Sequence, residues 1–279
     1  MPDASLEHVD NDALLDQLHV RVFTSRRLAI GASWNAADVY SSFWRLYVNN
    51  RTGAAVMWGG GRFDLSARRI HLVPPWVRFT CVNDVVIKHH YLHFDLIGLP
   101  TELVREVFDR PATLPRDAAL DALSRQWMAH LKRGRNDVAG LCLAKSLVYA
   151  AISGLTGLMS EQQQARCTRH LRGRGAVAPA IEHIESHLHE ELGNERLAEL
   201  CSVSPDHFIR LFRQSVGQTP TQYTLERRVG RAAQQLIFTD ESIERIAEET
   251  GFRDRFYFSR VFAKRMGLPP ARYRAGQRV

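Results

Sequence analysis

The spacing of apolar and polar residues divides the chain into a β-rich first part and a helical second part. From about residue 20 to residue 96, short apolar or alternating runs such as RLYVNN, RIHLVPPW and VVIKHHYLHFDL are separated by the turn-forming segments NNRTG, GGG and VND. Alternation with a period of two indicates strands that bury one face. Several short strands at this spacing predict a small sandwich or barrel.

The period changes at about Asp117, where apolar residues begin to recur at helical spacing. In DAALDALSRQWMAHLKRG they fall three or four residues apart, and a second helix is predicted from about Asp137. The stretch LCLAKSLVYAAISGLTGLM is long enough to span a bilayer, but Lys145 and several small polar residues interrupt it. We interpret it as a core or subunit-interface helix, so the first part is predicted to be a β-barrel-like unit backed by two helices.

Residues 162–175 break the apolar patterning on both sides. Their sequence, QQQARCTRHLRGRG, contains four arginines, no acidic residue and two glycines near its end. Such a composition is typical of a linker between domains. We therefore predict an N-terminal domain over residues 1–161, a linker over residues 162–177 and a helical domain over residues 178–279.

One helical unit occurs twice in the second part. The copies align with an offset of 49 residues before an internal turn and 50 after it, and they share ten identities. Repetition at this level indicates two copies of one structural unit. The matching residues are Glu195, Arg196, Ala198, Glu199, Phe208, Arg210, Phe212, Gly217, Pro220 and Tyr223, paired with Glu244, Arg245, Ala247, Glu248, Phe258, Arg260, Phe262, Gly267, Pro270 and Tyr273.

Each copy is predicted to fold as a short helix, a tight turn and a second helix. In the first copy, Asn194 is expected to cap the short helix and Ser204 the second one. In the second copy, Ser242 is expected to cap the short helix, and Gly251 to end it in the left-handed conformation.

The spacer between the copies is predicted to be a single helix. Thr219 is expected to cap it and Pro220 to begin it, and the apolar pattern continues to about Phe238. A helix of this length spans roughly 25 Å. The major groove of B-DNA returns to one face about every 34–36 Å, so the spacer is suited to hold two units in successive grooves.

The second helix of each copy has an apolar face and a polar face. Phe208, Leu211 and Phe212 lie three and four residues apart and are predicted to point inward. An opposite face with arginines, and with a large apolar residue near its start, is typical of a recognition helix in the major groove. The outward positions are Asp206, Arg210 and Arg213 in the first copy and Arg253, Phe256, Arg260 and Lys264 in the second.

Charge supports this interpretation by its placement rather than by its sum. The chain has a net charge of +7, which favours anionic partners only in general terms. Residues 176–279 contain fifteen basic and fourteen acidic residues, yet residues 253–278 contain eight basic residues and one acid. A helical scaffold with a solvated arginine face is the alternative, but it does not explain an exposed Phe256.

The ordered motifs of the repeat resemble the AraC/XylS family of bacterial transcription regulators over about residues 178–276. These motifs are LAE and IAE in the short helices, FxRxF in each second helix, and the ending G-x-x-P-x-x-Y; Ser202 stands at the first turn, where glycine would be easiest. The resemblance implies two helix-turn-helix units joined by a long helix, which bind double-stranded promoter DNA. It also implies an activator that contacts RNA polymerase. It assigns base reading to Asp206, Ile209, Arg210, Arg255, Phe256 and Arg260, within a DNA-contacting set completed by Ser204, Arg213, Arg253, Ser259 and Lys264.

The first part resembles the cupin-like sensor domains of the same family through RIHLVPPWVRFTCVNDVVIKHHYLHFDL. This resemblance implies an α+β protein of two domains, in which a cupin-like barrel binds a small-molecule effector such as a sugar and the helices behind it form a homodimer. Flat aromatic rings stack on a sugar or an aromatic acid. The candidate ligand-binding residues are Trp34, Trp44, Tyr47, Trp58, His89 and His93, and the candidate dimerisation residues are Leu120, Leu123, Trp127, Met128 and Leu131.

Other functions receive less support from the residues. The four cysteines are widely spaced and show no zinc or disulfide pattern, and HHYLH lacks the spacing and the glutamate of a catalytic cupin. We therefore predict no catalytic residue, metal or cofactor, and a cytoplasmic protein, since the acidic, polar N-terminus does not resemble a secretory signal. A regulator that responds to no effector, and whose first domain only dimerises, is the alternative.

Overall fold

Residues 17–277 are described by a computed structural model, which has a strand-rich half followed by a helical half. The strands are β1 (His19–Ile30), β2 (Trp44–Asn49), β3 (Ala55–Trp58), β4 (Gly61–Asp64), β5 (Ile70–Val73), β6 (Phe79–Val82), β7 (Ile87–Ile97) and β8 (Ala112–Thr113). The first helices are α1 (Thr101–Val107), α2 (Ala118–Lys132), α3 (Val138–Thr156) and α4 (Glu161–Gly173). The remaining helices are α5 (Ala178–Ser186), α6 (Asn194–Leu200), α7 (Pro205–Val216), α8 (Pro220–Phe238), α9 (Ile243–Glu249), α10 (Arg255–Met266) and α11 (Pro270–Gln277).

The strands form two antiparallel sheets with an apolar core between them. One sheet has five strands in the order β1-β7-β2-β5-β8, and the other has three in the order β4-β3-β6. Tyr47 and Val73 of the larger sheet and Val56 and Phe79 of the smaller one belong to the core between the sheets. The expected barrel-like unit is confirmed, and its larger sheet has a second face that needs a separate cover.

Helices α2 and α3 cover that second face. Trp44 and Phe94 from the sheet share one buried cluster with Leu120 and Trp127 from α2. The indole Nε1 of Trp127 also donates a hydrogen bond to Ser25 Oγ at 2.9 Å. The prediction that Leu120 and Trp127 contact a second subunit is therefore wrong, because both are buried in the core of their own chain.

The other predicted dimer residues on α2 are Leu123, Met128 and Leu131, which are only half-buried against the same cluster. Helix α3 is, within residues 17–277, the one helix long and apolar enough to cross a membrane by length and composition. Its inner residues pack on the sheet as part of the core. Its outer face exposes Val138 and Leu141.

The segment expected to be a linker is helical for most of its length. Ser160 and Gln163 form a reciprocal capping box that begins α4. The Arg166 guanidinium binds both carboxylate oxygens of Glu106 at the end of α1, with one hydrogen bond of 2.8 Å. Local capping and an ion pair therefore hold most of the predicted linker, residues 162–177, in a helix.

The C-terminal half contains the two predicted helix-turn-helix units, formed by α6 with α7 and by α9 with α10. Ser242 caps α9, and Gly251 ends it with a φ of 79°, as expected. The capping prediction for Asn194 is wrong, because α6 has Gly193 at its N-cap. Ser204 stands at the N-cap of α7, but its side chain makes no capping hydrogen bond.

Helix α8 connects the two units and belongs to both of their cores. Thr219 caps it in a box with Gln222, and the helix runs from Pro220 to Phe238, as the sequence predicted. Tyr223 packs into the first unit's core, while Leu236 packs into the second. The connector is therefore fixed to the unit at each end.

Candidate nucleic-acid interface and ligand cavity

The polar faces of α7 and α10 are open to solvent, and they carry most of the predicted DNA-contacting residues. Phe256, at the start of α10, is 76% exposed. Ile209 and Ser259 are half-buried. The exposed residues are Ser204, Asp206, Arg210, Arg213, Arg253, Arg255, Phe256, Arg260 and Lys264.

Local hydrogen bonding fixes the start of α10 and the position of Phe256. Asp254 caps the helix and accepts hydrogen bonds of 2.8 Å from the backbone N–H groups of Phe256 and Tyr257. The buried Phe258 and Phe262 then anchor the inner face. This arrangement leaves a large apolar ring in solvent at the N-terminal end of a helix, where recognition helices meet base edges.

The cations on the two faces differ in whether they are already paired. Arg255 Nη1 lies 2.6 Å from Glu244 Oε1, so it forms an ion pair within its own unit. Among residues 17–277, no carboxylate pairs with Arg210 or Arg213 on α7, nor with Arg260 on α10. These three guanidinium groups are free to contact an external anion.

The two helices end in the same way. Gly217 follows α7 with a φ of 86°, and Gly267 follows α10 with a φ of 78°. Each is a left-handed residue at a helix C-terminus, a conformation that glycine adopts without strain. The repeat in sequence is thus a repeat in backbone structure.

A separate cavity of about 300 Å³ lies between the sheets and the C-terminal end of α8. That volume is at the lower end of the range for small-molecule sites. Of the predicted ligand-binding residues, Trp34, Tyr47, His89 and His93 line the cavity. The other lining residues are Phe23, Thr24, Arg26, Leu28, Val39, Arg45, Cys81, Tyr91, Ile237 and Phe238.

Two of the predicted ligand residues do not reach this cavity. Trp44 lies on the opposite face of β2, where it stacks on Phe94 and contacts Phe108 in the core beneath the helices. Trp58 is at the end of β3 and is not part of the cavity wall. The prediction is wrong for both, because the strand alternation points Trp44 away and the cavity does not extend to the end of β3.

The histidines of β7 lie on two faces of the sheet, as their spacing predicted. His89 Nδ1 lies 2.7 Å from Asn49 Oδ1, and burial together with the nearby His90 lowers the pKa of His89 to about 3. Burial, with Arg45 and His89 nearby, holds the pKa of His93 well below its ordinary value. His90 points to the other face, toward Trp127. His89 and His93 are therefore neutral hydrogen-bonding groups on the cavity wall.

Sequence reasoning missed two important parts of the cavity. Arg45 alternates with Trp44 on β2 and shares a face with Tyr47, so the period of two could have identified it. Ile237 and Phe238 come from the last turn of α8. No sequence signal identifies them, because their position depends on how the helical half docks on the strands.

Comparison with known proteins identifies relatives of the second half of the chain. Residues 197–276 match the family model of a helix-turn-helix domain. The MmsAB operon regulatory protein of Pseudomonas aeruginosa is 41% identical over 97 residues, which cover 35% of this chain and 31% of that protein. The arabinose operon regulatory protein of Salmonella typhimurium is 33% identical over 103 residues, which cover 36% of each. A solved transcriptional regulator of Chromobacterium violaceum with an AraC-type DNA-binding domain is 31% identical, with a TM-score of 0.36, over 37% of this chain and 93% of that one. By its C-terminal domain, this chain belongs to the AraC family.

The similarity to these curated relatives covers only the C-terminal part of the chain, and the chain spans about a third of their length. The strand-rich half lies outside the matched helix-turn-helix region.

A buried ionic cluster joins the AraC-type domain to the strand-rich half. Arg227 on α8 lies 2.5 Å from Asp95 on β7 and 2.5 Å from Glu185 on α5. Arg21 on β1 contacts the same two carboxylates at 3.4 and 3.2 Å, and the Tyr223 hydroxyl donates to Glu185 at 2.9 Å. Burial alone would raise the pKa of Asp95, but Arg227 and Arg21 outweigh it and hold that pKa below its ordinary value.

Proposed function

We propose that this chain is a sequence-specific DNA-binding transcription regulator that reads double-stranded promoter DNA with α7 and α10. The observation that carries the proposal is the pair of repeated, exposed helix faces with unpaired arginines, one of which presents Phe256 to solvent. Arginine donates bidentately to guanine in the major groove, and an apolar ring packs on a thymine methyl. The base-reading residues would be Asp206, Ile209, Arg210, Arg255, Phe256 and Arg260, with Ser204, Arg213, Arg253, Ser259 and Lys264 beside them.

The connector supports a bipartite binding site. Helix α8 has 19 residues, so it spans roughly 28 Å. The major groove returns to the same side of B-DNA after about 34–36 Å. One chain would then occupy two neighbouring groove segments, and the selected DNA would contain two short motifs about one helical turn apart.

Replacing Arg260 with alanine tests the assignment. A random-sequence DNA pool selected by the wild-type protein supplies the duplex, and affinity is then measured by fluorescence anisotropy. We expect Arg260→Ala to weaken binding about 10- to 100-fold and to relax preference at one base position. The control is Arg265→Ala, because Arg265 lies on the same helix but is directed toward Glu226, 3.9 Å away.

Two results would contradict the proposal. One is a selection that enriches no sequence at low salt. The other is an Arg260→Ala protein that keeps wild-type affinity and base preference. Equal losses in Arg260→Ala and Arg265→Ala would indicate that binding depends on net charge alone.

We also propose that the strand-rich half binds a small-molecule effector and that effector binding adjusts the DNA-binding half. The cavity wall includes Ile237 and Phe238, the last residues of the helix that joins the two DNA-binding units. In this proposal the protein is a cytoplasmic homodimer and an activator that contacts RNA polymerase. Its two domains divide near residues 1–161 and 178–279, with α4 between them.

A further inference from the structure

Arg45 is a buried cation on the wall of the cavity. Arg45 is only 4% exposed to solvent. Its guanidinium donates a hydrogen bond to Ser41 Oγ and lies 4.6 Å from the ring centroid of Phe43 and 5.2 Å from that of Phe79. Within residues 17–277, no aspartate or glutamate forms an ion pair with it.

The surroundings of Arg45 do not balance its charge. Burying a charged group is costly when no opposite charge accompanies it, and the two cation–π contacts and the hydrogen bond to Ser41 offset part of that cost without supplying a negative charge. Among the residues that the structure describes, the cavity wall contains a second arginine, Arg26, which is exposed, and no acidic residue. The described part of the cavity wall therefore carries positive charge without a carboxylate to balance it.

The histidine on the same wall provides an independent indication of a ligand site. The Nδ1 atom of His93 is buried and has no hydrogen-bond partner among the described residues. Buried polar atoms in folded proteins are nearly always hydrogen-bonded, so we expect His93 Nδ1 to form a hydrogen bond with a bound group. Its ring lies 5.1 Å from Phe43 and 4.8 Å from Tyr91, centroid to centroid.

We propose that the cavity binds a small monocarboxylic acid with an aromatic or apolar body, and that Arg45 binds its carboxylate. The rings of Trp34, Tyr47 and Phe238 form the surface for the body, and His93 Nδ1 provides a further hydrogen bond. This inference rests on the proposed effector-binding role of the strand-rich half, and it names the class of effector. A sugar, which the sequence resemblance favoured, is neutral and would leave Arg45 without a counter-ion.

The position of Phe238 gives this ligand a route to the DNA-binding half. Its ring lies 5.6 Å from both His93 and Phe43, and Phe238 is the last residue of α8. A body that fills the cavity contacts this ring and so favours one position of the last turn of α8. That turn precedes α9 and α10, the second helix-turn-helix unit.

Paired ligands test the charge requirement on the full-length protein. We would measure binding of benzoate, phenylacetate and octanoate by isothermal titration calorimetry, with benzamide and arabinose as neutral comparators. Benzamide has nearly the shape of benzoate but lacks its charge. A charge-assisted hydrogen bond contributes about 1.5–3 kcal/mol, so we expect at least one acid to bind ten-fold or more tightly than its neutral comparator.

Substitutions then identify the group that provides the charge. Arg45→Gln is expected to reduce affinity for the acid at least ten-fold, whereas Arg45→Lys, which keeps the charge, retains part of it. Arg27→Gln is the control and should stay within three-fold of wild type, because Arg27 is exposed on the same strand as Arg26 but is not part of the cavity wall. Circular dichroism checks folding; if Arg45→Gln does not fold, the comparison of benzoate with benzamide and the Arg45→Lys protein decide.

Several outcomes would overturn the inference. Neutral ligands that bind as tightly as the acids, a folded Arg45→Gln protein with unchanged affinity, or binding weaker than millimolar for every acid would each do so. Fluorescence anisotropy of DNA binding, measured with and without the acid, separates this inference about the ligand from the proposed function. Acid binding that leaves DNA affinity unchanged would retain the ligand class and remove the regulatory role.

Discussion

The ionic cluster between the two halves provides a quantitative prediction. Replacing Arg227 with methionine removes the group that lies 2.5 Å from both Asp95 and Glu185 while keeping most of the side-chain volume. The two carboxylates are only 9% and 12% exposed, so water compensates them poorly. Breaking a buried ion pair from one side costs about 3–5 kcal/mol, because a charge is left without a partner.

Arg21 remains as a partner of the two carboxylates, and it determines where the loss of unfolding free energy falls within that range. Arg21 contacts the same two carboxylates, but at 3.4 and 3.2 Å and with 28% of its side chain exposed. Partial compensation by Arg21 places the expected loss for Arg227→Met near the lower end, at about 3 kcal/mol of unfolding free energy. The control is Arg213→Met on α7, because Arg213 is exposed and forms no ion pair within residues 17–277.

Urea unfolding followed by circular dichroism measures the loss, and hydrogen exchange on peptides from β7 and α8 shows whether the interface opens. Adding Asp95→Asn to Arg227→Met should recover part of the loss, with a coupling energy of about 1 kcal/mol or more. An Arg227→Met protein whose unfolding free energy and exchange rates both match those of the control would refute the reasoning, since the cluster would then contribute nothing to docking.

Two further predictions concern backbone strain and pH. Ser202 and Gly251 occupy the same turn in the two units, with φ of 57° and 79°. Ser202→Gly should stabilise the protein by about 0.5–1 kcal/mol, because glycine adopts a positive φ without strain. Gly251→Ala should destabilise it by about 2 kcal/mol, because a Cβ there would lie 2.3 Å from the carbonyl oxygen of Leu188. Thermal unfolding of both variants checks this, and a stabilising Gly251→Ala would contradict it. The pKa of His89 falls from 6.5 in the unfolded chain to about 3 in the folded one, so its contribution to stability is constant above pH 6.5 and is lost below it. Between pH 6.5 and 5.0 that loss is about 2 kcal/mol. His89→Gln should remove this part of the pH dependence from urea unfolding curves and leave the part due to other buried histidines such as His93; an unchanged pH dependence would show that His89 does not contribute.

Local signals predicted the helical half well, because each of its elements is specified by neighbouring residues. Thr219, Pro220 and the apolar period gave the bounds of α8, and Gly251 and Ser242 gave those of α9. The helix α4 was missed although its signal was present, since Ser160 followed three residues later by glutamine is a capping box. The composition of this segment indicated a linker and did not predict the helix, whereas the capping box did.

The cavity was only partly predictable for a different physical reason. Strand alternation told which side chains share a face, and it correctly grouped His89 with His93. It did not tell which of two faces would enclose a cavity and which would lie beneath helices, so Trp44 was assigned to the ligand and Arg45 was overlooked.

The sequence by itself determined the repeated helix-turn-helix units, the connector between them and the faces that carry their arginines. Each depends on spacings of a few residues, which the backbone geometry of helices converts directly into shared faces. Only the tertiary structure decided that Phe238 borders a cavity with Arg45 and that Arg227 joins Asp95 to Glu185. Those residues lie far apart along the chain, and their contacts depend on how two independently patterned halves pack together, which no local spacing specifies.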